Sequence, residues 1–184
     1  MGTALANAEL ETAPEPLDAH NFDALIARHQ SMVFSIAFHF LQDRCAAEEL
    51  AQDVFLQLYR HLHNLQSADH VMFWLRRVTA HRCIDRGRRR HFKMHALDSI
   101  PEPAAPAAPV DPLLTRRLRA LIGDLPDHAR IAVVLRYQED LTPDEIAHVL
   151  DRPVATVKSQ LQRALKTLRA KLVRVLGDPR GQDR

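Results

Sequence analysis

The segment "LTPDEIAHVLDRPVATVKSQLQRALKTL", residues 141–168, decides the fold of the C-terminal half of the chain. Thr142 is followed three residues later by Glu145, and Pro143 stands at the first helical position, which is the pattern of a capped helix start. A short break at Asp151–Arg152 separates this helix from a second one. Two helices joined by so short a turn predict a helix–turn–helix.

The second helix of this segment has two different faces. Valines and leucines three and four residues apart, from Val154 to Leu168, predict its buried face. The other positions carry cations, amides and hydroxyls, which can bond base edges or phosphates in a DNA groove. A merely solvated polar face is the alternative interpretation. The candidate DNA-reading residues are Thr156, Lys158, Ser159, Gln162, Arg163 and Lys166.

A second basic segment is "WLRRVTAHRCIDRGRRRHFK", residues 74–93, in a chain whose formal net charge is only +2. Asp85 is the single acidic residue in this segment, whereas every charged residue before Arg28 is acidic. So many like charges repel one another without a polyanion, which favours a nucleic-acid surface. Trp74 can stack on an unpaired base, or it can buttress the core. The arginines can also form a solvated helix end.

Helical periodicity predominates elsewhere, with no alternating strand pattern, so we predict an all-α protein of two small helical domains. A Pro/Ala-rich linker joins them, because closely spaced prolines cannot continue a helix. The C-terminal domain ends in the helix–turn–helix. The predicted division is an acidic, disordered tail over 1–20, a helical domain over 21–95, the linker over 96–112, the second domain over 113–176 and a disordered tail over 177–184.

Several classes of function are excluded by the sequence pattern. The two cysteines lie far apart, and His61 and His63 point away from each other on a helix, so we expect no disulfide, metal site or cofactor. No catalytic triad and no glycine-rich phosphate loop appears, so we expect no catalytic residue and no enzyme. Without a signal peptide or an apolar run long enough for a bilayer, we expect a cytoplasmic protein with no membrane insertion.

Three blocks of the sequence together resemble one family. They are "AEELAQDVFLQLYRHL", "FWLRRVTAHRCIDRGRRR" and the segment 141–168. In this order and separation they resemble the RNA polymerase sigma factors of the extracytoplasmic-function (ECF) group, over nearly all of residues 22–172 outside the linker. The resemblance implies two domains, called region 2 and region 4. It also implies that the protein directs promoter-specific DNA binding, melting and transcription initiation.

The resemblance implies partners and roles by position. The partners are core RNA polymerase, through its β′ clamp helices and β flap, promoter DNA, and an anti-sigma factor. The loop from Ser67 to Val71 matches the pocket for a flipped base of the minus-ten element. Polymerase binding is implied for Leu50, Gln52, Asp53 and Phe55. Minus-ten binding is implied for Ser67, Trp74, Arg77, His81, Arg82, Arg88, Arg89 and Arg90, and reading of the minus-thirty-five element for the six residues of the last helix named above.

The sequence departs from the family pattern at three positions. His81 stands where many members have Asn, Ala155 where Gly is usual, and Gln160 where Arg is usual. These differences bear on the promoter sequence that is read. Two other classes of function remain open at this point: a DNA-binding regulator that uses only the C-terminal helix–turn–helix, and an interaction protein that holds polymerase without promoter specificity.

Overall fold

The computed structural model describes residues 22–65, 67–94 and 112–176, and this part of the chain is helical without strands. The predicted tails and most of the predicted linker lie outside the described residues. The first domain contains α1 (Phe22–Leu41), α2 (Arg44–His61), a short 3-10 helix (Leu62–Asn64) and α3 (Ala68–Met94). The second contains α4 (Pro112–Gly123), α5 (Asp127–Tyr137), α6 (Pro143–Leu150) and α7 (Val154–Leu176). The all-α prediction is confirmed.

The first domain is a three-helix bundle. Phe40 of α1, Leu50 of α2 and Leu75 of α3 are buried in its core. Asp43 begins α2, because its carboxylate accepts a hydrogen bond from the Ala46 backbone N–H. Trp74 and Val78 of α3 are only partly buried. This leaves one side of α3 open to solvent.

The second domain confirms the capping pattern and the helix–turn–helix. The Thr142 side chain accepts from the backbone N–H of Glu145, and the Glu145 carboxylate accepts from that of Thr142. The backbone N–H of Thr142, and then its hydroxyl, donate to this carboxylate and hold the pKa of Glu145 below its usual value. Asp151 takes the left-handed conformation (φ 53°, ψ 53°) that ends α6, so Asp stands where glycine is commonest. Ile146 of α6 and Val157 of α7 are fully buried where the two helices pack together.

The two domains pack against each other, which the sequence did not lead us to expect. Arg130 of α5 is the centre of this contact and is 9% exposed. It donates hydrogen bonds to the carbonyls of Gly123 and Leu125 in its own domain. It also reaches the Phe40 carbonyl of the first domain, and its guanidinium lies 4.9 Å from the centroid of the Phe40 ring. One buried cation thus joins the end of α1 to the second domain.

Candidate polymerase and nucleic-acid surfaces

The outer face of α2 presents Gln52 and Asp53 to solvent. Leu56 and Tyr59, on the same helix, are 58% and 55% exposed, which is unusual for such large apolar side chains. Helical spacing of three and four residues places Leu56 beside the two polar residues. An acid, an amide and two apolar side chains therefore form one exposed patch that a partner protein can cover.

Two of the four residues expected to bind polymerase lie in the core instead. Leu50 is 2% exposed and Phe55 8% exposed, and both pack within the three-helix bundle. They position α2 and present no surface for docking. Leu56 and Tyr59 were not among the residues expected from the sequence, although each is a large apolar residue outside the buried stripe of α2.

The segment expected to receive a flipped base, residues 67–71, lies at the start of α3. Ser67 is exposed, and its hydroxyl accepts a hydrogen bond from the His70 backbone N–H at 3.2 Å. Val71 is fully buried and cannot touch DNA. Trp74 is half-buried, with the His61 ring 5.8 Å away. Part of the Trp74 side chain therefore packs inward, and part remains accessible to solvent.

The arginines of α3 divide into two sets, so the predicted mutual repulsion is partly relieved within the protein. Arg86 pairs with Glu49 and donates to the Ala46 carbonyl. Arg76 pairs with Glu139 at 3.5 Å, and burial raises the pKa of that carboxyl although Arg76 opposes the rise. The second set is exposed and has no hydrogen bond or ion pair to a described residue: Arg82, Arg88 and Arg89. Its side chains remain available to phosphates, while the side chain of Arg90 lies outside the described ones.

The predicted reading face of α7 is open to solvent. Lys158, Gln162, Arg163 and Lys166 are all exposed, while Val157, Leu161 and Leu168 are buried on the opposite side. Thr156 and Ser159 are half-buried, and the Ser159 hydroxyl donates to the Thr156 carbonyl at 2.9 Å. The helix therefore presents a row of exposed polar side chains opposite a buried apolar side, the arrangement that groove recognition requires.

Comparison with known proteins identifies this arrangement. The models described as Sigma-70 region 2 and Sigma-70, region 4 match residues 25–92 and 115–168. The chain is 32% identical over 181 residues to "ECF RNA polymerase sigma factor SigM" of Mycobacterium tuberculosis, covering 94% of this chain and 85% of the relative. The chain belongs to the ECF RNA polymerase sigma factors. Its class of function is therefore the direction of RNA polymerase to promoters.

Two further comparisons agree with this assignment. The sigma factor is 31% identical over 175 residues to "ECF RNA polymerase sigma factor SigE" of Mycolicibacterium smegmatis, with coverage of 91% of this chain and 66% of the relative. The fold resembles the sigma factor RpoE from Bartonella quintana, solved in complex with the anti-sigma factor NepR. That likeness has a TM-score of 0.70 at 17% identity and covers 84% of this chain and 98% of that one.

In the sigma factor, the second domain covers part of α3. Arg77 contacts the Asp151 carboxylate of the helix–turn–helix at 3.5 Å, and the rings of Phe73 and His148 lie 4.7 Å apart. Gly87 is buried so close to Asp127 that an added Cβ would meet its carboxylate at 2.8 Å. One expected minus-ten residue, Arg77, is thus engaged by the domain expected to read the minus-thirty-five element.

Two kinds of feature are absent from the described ranges of the sigma factor. In residues 22–65, 67–94 and 112–176, no three His, Cys, Asp or Glu side chains are grouped so as to hold a metal ion. No helix within the same ranges is long and apolar enough to cross a bilayer.

Proposed function

We propose that this chain docks on core RNA polymerase through the outer face of α2, melts and holds the minus-ten element on α3, and reads the minus-thirty-five element with α7. Polymerase carries out the catalysis, in the cytoplasm. The observation that supports this best is the pair of separate basic helical faces, one on each domain. Each face has exposed cations and a buried side that fixes its geometry.

The docking residues proposed on α2 are Gln52 and Asp53, extended here to Leu56 and Tyr59. An exposed acid flanked by exposed apolar side chains suits a basic partner surface with an apolar centre. Leu50 and Phe55 support this patch from beneath. The solved relative was crystallised with an anti-sigma factor, and we propose such a partner for this chain as well.

Asp53→Arg should weaken binding to core polymerase about tenfold or more, because the reversed charge adds repulsion to a lost attraction. The matched control is Asp144→Arg, the same charge change at an exposed residue of α6 in the second domain. Competition against a second sigma factor for core enzyme measures both. Equal loss in the two variants, or none in either, would remove Asp53 from the interface.

Arg88→Ala combined with Arg89→Ala should weaken promoter binding for all sequences alike. Phosphate contacts release counterions, so the slope of log affinity against log salt should become shallower by about 2, at ~0.9 per contact. Arg28→Ala, an exposed arginine of α1, serves as the control. A salt titration of holoenzyme on promoter DNA measures the slope, and an unchanged slope would make these arginines a solvated helix end.

Arg163→Ala should lower transcription from the cognate promoter and relax base preference at one or two positions of the upstream element. An Arg–guanine contact in the major groove supplies about 1–3 kcal/mol of discrimination. Arg174→Ala, exposed about three turns farther along α7 than Arg163, should leave preference intact. A promoter library transcribed with each variant gives the answer. Uniform loss across the library would make Arg163 a phosphate contact.

The closed arrangement of the domains has to open for this function. The two promoter elements are centred about 25 base pairs apart, which is roughly 85 Å of duplex at about 3.4 Å per base pair. A compact chain of 184 residues is only about 40 Å across. One closed molecule therefore cannot occupy both elements, and Arg77 must leave Asp151 to face DNA. We propose that docking on polymerase stabilises the open form.

A further inference from the structure

A cavity of about 340 Å³ lies at the junction of the two domains, between the end of α1 and helices α4, α5 and α7. Its walls are mainly apolar, with Phe38 on the first domain and Leu118, Val134 and Leu168 on the second. The lining residues are distinct from those assigned to polymerase and DNA. Small-molecule sites are concave and mainly apolar, and they occur preferentially at such domain interfaces.

The charged side chains of the cavity wall are cationic. Arg119 of α4 and Arg169 of α7 line it, and no described residue forms an ion pair with either guanidinium or accepts a hydrogen bond from it. Arg119 instead lies over the Phe38 ring, 5.6 Å from the ring centroid. Among the described residues that line the cavity there is no Asp or Glu. The electrostatic potential inside it is therefore positive.

His39 of α1 responds to the same positive potential. It lines the cavity, and burial, followed by the charge of Arg119, lowers its pKa. Its ring is therefore neutral near pH 7 and can donate one hydrogen bond without adding a charge. Gln42 donates to the backbone carbonyl of Arg119, which fixes α4 against α1 at this wall. Two cations without a carboxylate partner, beside an apolar chamber, complement an amphipathic anion.

We propose that this cavity binds one small aliphatic carboxylate, with its chain in the apolar chamber and its carboxylate against Arg119 and Arg169. A cavity of about 150 Å³ holds benzene, so this one has room for roughly a dozen non-hydrogen atoms, enough for octanoate. Because the walls come from both domains, the ligand binds the closed arrangement and leaves when the domains separate. It therefore stabilises the closed form and lowers promoter-directed transcription. The effect on transcription rests on the proposed function, whereas binding does not.

Calorimetric titration of the full chain with octanoate tests the binding. We expect a single octanoate per chain and about tenfold weaker binding of octanol, which has the same chain without the charge. Arg119→Gln combined with Arg169→Gln should lose about the same factor for octanoate and nothing for octanol, which also shows that the cavity is intact. Arg117→Gln combined with Arg174→Gln, at exposed residues of the same two helices outside the cavity, is the matched control.

Run-off transcription at limiting concentration of the chain tests the consequence. At ten times its dissociation constant, octanoate favours the closed form by a factor of about eleven, so transcription should fall by up to that factor in the wild type and the matched control. The Arg119 and Arg169 double variant should resist this inhibition.

Absence of octanoate binding, or equal affinity for octanoate and octanol, would overturn the site, and a partner protein would then be the occupant to seek. Binding without inhibition would overturn its effect on transcription, because the cavity would then persist on the promoter. Failure of the proposed function itself would appear differently, as absence of specific initiation before any octanoate is added.

Discussion

A sigma factor whose two domains are covalently held together should lose about 100-fold of its promoter-directed transcription. Binding through two linked sites gains roughly 10²–10⁴ over either site alone, and that gain vanishes when geometry forbids both contacts. Phe73 and His148 are suitable anchors, because their rings already touch across the interface. Cysteines at both positions, in a Cys45→Ser background that removes the exposed thiol, can be joined by a short cleavable cross-linker.

The two single-cysteine variants treated with the same reagent control for modification, and cleavage of the linker should restore transcription. Run-off transcription on one promoter, before and after cleavage, provides the comparison. Full activity of the linked protein would show that the closed form is competent. The requirement for opening would then be wrong.

Arg130→Ala should lower the free energy of unfolding by about 3–5 kcal/mol, because it leaves several buried backbone carbonyls without their donor. The carbonyls belong to Phe40, Gly123 and Leu125, so both domains lose a contact. Since the hydrogen bond to the Phe40 carbonyl joins the two domains, the variant should also unfold in two steps. Urea denaturation followed by circular dichroism measures both quantities.

Arg136→Ala is the matched control for Arg130, since it lies on the same helix and donates to a single carbonyl, that of Leu141. Its expected cost is about 1 kcal/mol. A similar loss of unfolding free energy in both variants would show that Arg130 stabilises the fold no more than Arg136 does. The interface between the domains would then be maintained by other contacts.

Local features of the fold could be predicted because their causes are local. The capping pair Thr142 and Glu145 needs only three residues of spacing, and the buried stripe of α7 needs only helical periodicity. The exposure of Lys158 and Arg163 follows from that stripe. These features specify the helix–turn–helix without reference to the rest of the chain.

The packing between the domains could not be predicted in this way. It depends on single long-range contacts, such as Arg130 with Phe40 and Arg77 with Asp151, which no periodic pattern encodes. Arg130 did carry one signal, because it directly precedes the apolar run of residues 131–135. The residues expected for polymerase docking were taken from a family pattern, which identifies the helix but does not separate its buried side, with Leu50, from its exposed side, with Leu56.

The most direct test of the central claim is run-off transcription with purified core polymerase, this chain and a library of promoter fragments. We predict that the chain alone gives core enzyme specific initiation at a common pair of elements, and that an added second sigma factor competes with it. A DNA-binding regulator would act only on polymerase that already carries a sigma factor, and a decoy would reduce initiation. Absence of specific transcripts from core enzyme plus this chain would contradict the account.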